Sequence, residues 1–81
     1  MLAKIYVTRK KGVHDPQGEA VQHVLANLGH QEVSSVRVGK YIEMKLGSTE
    51  RPAAEKSVTE MCEKLLANPV IESYRFELVE S

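Results

Sequence analysis

An α+β two-layer sandwich, one antiparallel sheet with two helices on a single face, is the fold class that the order of periodicities along these 81 residues predicts. Three observations carry it. Apolar and polar residues alternate over three separate stretches, as in half-buried strands. Two stretches between them repeat at helical spacing. Each of these has a single apolar stripe, which places both helices on one face of a shared sheet.

The chain opens with a strand over Leu2–Thr8, where Ala3, Ile5 and Val7 share one face and Lys4, Tyr6 and Thr8 the other. Arg9 to His14 has three basic residues, a glycine and no periodicity, and reads as a loop. Asp15-Pro16-Gln17-Gly18 then starts a helix: the aspartate can accept a hydrogen bond from the first free amides, and proline at the first helical position loses nothing by lacking an N–H. Ala20, Val21, Val24, Leu25 and Leu28 form its apolar face, and Gly29 supplies the left-handed residue that ends it. Gly18 is out of character, because glycine weakens a helix by about 1 kcal/mol relative to alanine. Close approach of another backbone is one reason for such a residue, and tolerance near a helix end is another.

Val33–Leu46 is expected to be one long strand, the element on which the rest is organised. From Val36 the even positions are Val36, Val38, Lys40, Ile42, Met44 and Leu46, all apolar except Lys40. A hairpin turning at Gly39-Lys40 would set Val36 opposite Glu43 and put a carboxylate on the apolar face, so the parity favours a continuous strand with a bend or bulge at Gly39. Extended, this strand would span roughly 45 Å, whereas a compact domain of this length has a diameter of roughly 30 Å. An overhanging apolar edge invites another chain, so a second copy is expected to complete the sheet, as a dimer or tetramer.

Gly47-Ser48-Thr49 breaks the pattern. A second helix is expected from near Pro52, with Glu50 at its positive end, to about Ala67, and with a buried stripe of Ala54, Val58, Met61, Cys62, Leu65 and Leu66. Glu60 and Lys64 form an i,i+4 pair on its wet face. Asn68-Pro69 stops it, and Val70–Val79 forms the last strand, with Tyr74, Phe76 and Leu78 inside and Arg75 and Glu77 outside.

The length makes a single domain, 1–81, near the size at which one core is only marginally sufficient. Eleven basic and eleven acidic side chains cancel, so no electrostatic footprint for nucleic acid or an anionic membrane is expected. One cysteine excludes an internal disulfide, and nothing resembles a signal peptide or a membrane span, which points to the cytoplasm. His14, His23 and His30 are scattered without metal-ligand spacing, and Cys62 sits in the buried stripe of the second helix. There is no phosphate-binding glycine motif, so no catalytic residue, metal or cofactor is expected on this chain. Arg37, Lys40 and Tyr41 around Gly39 are candidate contacts for a partner's carboxylate or a phosphate, against the alternative of a solvated strand face whose lysine protects an edge.

Four ordered segments, IYVTRKKGVHDPQGEAV, LANLG, VSSVRVGKYIE and MCEKLLANPVIESYRFEL, together resemble the PurS family over Ile5 to Leu78. That family is the small subunit of the multi-subunit phosphoribosylformylglycinamidine (FGAM) synthase of purine biosynthesis. His14 departs from the apolar residue usual before DPQG, and the linker from Gly47 to Pro52 is more variable than the rest. The resemblance implies a non-catalytic accessory role. ATP and Mg would be bound by the large synthetase subunit (PurL type), ammonia would be released by a glutaminase subunit (PurQ type), and this chain would join the two and assist ammonia transfer. Asp15, Gln17, Gly18, Arg37, Gly39, Lys40 and Tyr41 are the candidate interface residues. Two other readings remain in view. A free-standing regulatory α+β module would bind a small molecule away from any ATP chemistry. An RNA-binding sheet would need a basic excess and clustered aromatics, whereas Tyr6, Tyr41 and Tyr74 are dispersed.

Overall fold

A computed structural model describes residues 1–47 and 50–80; the expected break at Ser48-Thr49 lies outside the described residues. The elements are β1 (Leu2–Arg9), α1 (Pro16–Asn27), β2 (Lys40–Lys45), α2 (Arg51–Met61) continued by a π turn over Cys62–Leu66, and β3 (Glu72–Val79). The α+β class holds: three antiparallel strands in the order β2-β1-β3, with two helices. β1, the first strand and not the long middle stretch, is the centre of the sheet, with Ile5 opposite Ile42 on one side and Phe76 on the other.

The strand expected over Val33–Leu46 is cut to its second half, because residues 33–39 have no ladder partner among the described residues. β1 meets β2 only as far as Val7, opposite Lys40, and its last two residues pair with β3 alone. Gly39 sits where a Cβ would overlap the Val7 carbonyl, so the bend expected there is a close crossing of two backbones. The size argument also changes. With a radius of gyration of 16.1 Å and extents of 49 × 27 × 14 Å, the molecule is a thin plate as long as its longest stretch, and no strand outruns it.

Alternation in β1 decides where the core lies. Ala3, Ile5 and Val7 are buried on one face and meet Val58, Cys62 and Ala67 from the α2 side, with Ile42, Met44, Tyr74, Phe76 and Leu78 packed around them. These inner faces of β2 and β3 are the expected ones. The stripe of α2 is corrected in part. At Cys62 the helix widens, the Ala67 N–H reaching back five residues to the Cys62 carbonyl at 3.0 Å. That extra residue in the turn aligns Cys62 with Ala67 and rotates Leu65 outward, where it is 81% exposed; Met61 is also exposed. Glu60 and Lys64 do pair, at 2.9 Å.

α1 starts and stops as its residues dictate. Asp15 caps it, and its exit is a Schellman turn in which the Gly29 N–H donates to the Ala26 carbonyl at 3.1 Å and the His30 N–H to the Leu25 carbonyl at 2.9 Å, with Gly29 at φ +98°. Its apolar stripe, however, is not buried. Among the described residues no side chain of α1 joins the core, and Val24 and Leu28 are 56% and 69% exposed. The reason is geometric: the one covered face of a three-stranded sheet is taken by α2, and nothing among the described residues covers the stripe of Val21, Val24 and Leu28.

Candidate functional site

Asp15 is the hub of the surface singled out in the sequence. It is nearly buried, with one carboxylate oxygen accepting from the Gly18 N–H at 3.0 Å and the other from the Val38 N–H at 2.8 Å. The first bond caps α1. The second ties the helix start to the segment that leads into β2. The Gly18 amide, then the Val38 amide, hold this carboxyl below the ordinary aspartate value, burial opposing and the Arg9 charge assisting. Gly18 is buried because a Cβ there would overlap the Val36 carbonyl. Its presence in the first turn is therefore explained by close approach of another backbone, the first of the two reasons the sequence offered. Arg37 adds a third tie, its guanidinium donating to the Arg9 carbonyl at 3.2 Å.

The seven candidates thus separate by burial. Asp15 and Gly18 face inward and fix the backbone, whereas Gln17, Arg37, Gly39, Lys40 and Tyr41 are exposed. Gln17, Gly39 and Lys40 share a cleft of about 390 Å³ with Arg9, Asp15 and Glu72. Tyr41 lies apart from that cleft, on the sheet face opposite α2. Its ring meets Tyr6 at 5.1 Å between centroids, Arg75 lies 3.9 Å over the far ring, and its hydroxyl donates to Glu43 at 3.0 Å. Desolvation, then that hydrogen bond to a carboxylate, push its phenol up to about 12. The Arg75–Tyr6–Tyr41 rung could not be read from the sequence, because it exists only through the strand register. Gln22, whose amide reaches the Ser34 carbonyl at 2.9 Å, gave no sequence signal either.

The remaining polar chemistry is modest. Among the described residues no group of three His, Cys, Asp or Glu is arranged to hold a metal ion, and no helix is long and apolar enough to cross a membrane. His14 and His30 lie beside Glu19 and Glu32 at 3.6 and 3.5 Å on the surface. Burial pushes the Cys62 thiol up, away from the reactive thiolate.

Because Asp15 is anchored by two backbone amides, its charge is a stability element with a defined pH window. The carboxylate is favoured in the folded chain, so its contribution is fully present above the ordinary value of 3.8 and is lost as pH falls through the lowered folded value. Urea unfolding midpoints measured from about pH 6 to about pH 2 should fall more steeply for the wild type than for Asp15→Asn. Equal slopes would show that the carboxylate is not held as described.

The family model for PurS, described as phosphoribosylformylglycinamidine (FGAM) synthase, matches residues 2–80. The chain belongs to the PurS family. The PurS subunit of phosphoribosylformylglycinamidine synthase from Bacillus subtilis (strain 168) is 52% identical over 77 residues, covering 95% of this chain and 90% of that protein. A crystal structure of B. subtilis PurS superposes with a TM-score of 0.87 at 51% identity, covering 98% of both chains. A chain of the structure described as PurLQS from Thermotoga maritima superposes with a TM-score of 0.81 at 32% identity, covering 98% of this chain and 99% of that one. The PurS fold therefore extends over the whole plate, including the unpaired segment before β2 and the uncovered α1.

Proposed function

We propose that this chain is the small, non-catalytic subunit of a cytoplasmic FGAM synthase, joining a large ATP- and Mg-dependent synthetase subunit to a glutaminase subunit so that ammonia passes between them. The observation that carries this reading is the near full-length likeness to a chain of the T. maritima PurLQS structure. The molecule suits such a role. It offers two open sheet edges, an uncovered apolar helix face and a rigidly tied loop, and its one thiol is buried. Self-association is part of the same reading. The stripe of Val21, Val24 and Leu28 and the unpaired residues 33–39 are surfaces that a second copy would cover and pair.

Reconstitution tests it. With purified large and glutaminase subunits, omitting this chain should lower glutamine-dependent FGAM formation by about tenfold or more, while formation from added ammonium changes much less. Arg37→Ala combined with Lys40→Ala should lower complex formation and the glutamine-dependent rate together, with circular dichroism unchanged. A glutamine-dependent rate indifferent to this chain would sink the proposal.

A further inference from the structure

The chain is neutral overall, but its charges are not evenly mixed. Arg9, Lys10, Lys11, Arg37 and Lys40 gather where β1 ends, α1 begins and residues 37–40 cross beneath them; they are five of the eleven Lys and Arg residues. Among the described residues none of the five has a carboxylate within ion-pair distance; of the six basic residues elsewhere, Arg51, Lys64 and Arg75 do and Lys4, Lys45 and Lys56 do not. The acids nearby are already engaged. Asp15 is buried under two amides, Glu72 accepts from the Asn68 N–H at 2.7 Å, and Glu19 lies beside His14. These five cations stand among three carboxylates, Asp15, Glu19 and Glu72, of which Asp15 already feels the charge of Arg9; five less three leaves an excess of two positive charges, relieved by negative charge brought from outside.

The form of the patch selects the kind of anion. Asp15 lines both clefts here, and each contains a second carboxylate as well as its cations, Glu72 with Arg9 and Lys40 in one and Glu19 with Lys11 and Arg37 in the other. A small phosphate compound entering either would meet that carboxylate. Arg9 and Lys40 line one cleft, Lys11 and Arg37 the other, and Lys10 joins them along the chain, so the cations form a rim spread over both clefts, which suits a broad surface. Nucleic acid fits poorly. The aromatic that neighbours the rim, Tyr41, is committed to Tyr6 and Glu43, and a strand continuing along the plate would run onto Glu43 and Glu77.

We propose that this cationic rim is the docking face for an acidic protein surface on the large synthetase subunit, and that it steers the encounter between the two. This rests on the accessory-subunit reading above and adds the partner's chemistry and the place of contact. Steering of this kind acts on the association rate and is weakened by salt.

The test is the rate at which this chain, wild type and Lys10→Ala/Lys11→Ala/Lys40→Ala, associates with immobilised large subunit between about 50 and about 500 mM NaCl. Lys10 and Lys40 hold the fold through their backbones, which alanine keeps, and no side chain of the three lysines makes a hydrogen bond or ion pair among the described residues, so circular dichroism and self-association should be unchanged. Wild-type association should slow by about tenfold across that range. The triple variant should associate about tenfold more slowly at low salt and approach wild type at high salt, with dissociation rates little altered. A complex that forms at a salt-independent rate, unaffected by the lysines, overturns the rim while leaving the accessory-subunit role standing. Absence of any complex in every condition removes both. Tighter binding of a short single-stranded RNA than of the large subunit, lost in the triple variant, would also overturn it.

Discussion

Gly18→Ala should lower stability by about 3 kcal/mol, a fall of roughly 15 °C in Tm for a domain this small, even though alanine is ordinarily the better helix former. The new methyl would occupy the position of the Val36 carbonyl. Backbone cannot rotate away as a long side chain can, so either α1 or residues 36–38 must move, and movement breaks the Val38 N–H bond to Asp15. Gly47→Ala is the control. It has open space around the new methyl and no left-handed backbone, and should change stability by less than about 0.5 kcal/mol. Thermal melts of both variants followed by circular dichroism decide the matter, and equal melting temperatures would refute the close crossing.

Ile5→Ala should cost about 3 kcal/mol in urea unfolding, because Ile5 is fully buried at the centre of the middle strand and the cavity is walled on both sides by sheet. Leu65→Ala removes a similar side chain from an 81% exposed position and should cost less than about 0.5 kcal/mol. The contrast checks the π turn directly. A continuous α-helix would carry Leu65 into the core, and the two variants would then be comparably destabilised.

Why some of this was legible and some not follows from the range of each interaction. The helix start at Asp15-Pro16, the exit at Gly29 and the inner faces of the strands are set by neighbours a few residues away, and the alternation and capping rules read them directly. The long-strand expectation failed at residues 33–39 because side-chain alternation reports a chain's extension, not whether β1 continues far enough to pair with it. Leu65 falls outside its expected stripe because a short π turn leaves no trace in a helical pattern. The apolar stripe of α1 was correctly located and wrongly assumed to be covered. Periodicity identifies a face that seeks burial, but it does not say that the same chain supplies the cover. Among the seven candidate residues, sequence gives no ground for separating the inward pair, Asp15 and Gly18, from the outward five; the hydrogen bonds and burial do.

The plate's thinness has a consequence in area. A folded monomer of 9.1 kDa ordinarily exposes about 4,900 Å², whereas this chain exposes 5865 Å². The surplus of about 1,000 Å² is comparable to what one protein contributes to a standard-sized interface, about 800 Å². A body only 14 Å through, with helix on one side of a single sheet, reaches the surface-to-mass ratio of an ordinary globule only when another surface lies against it.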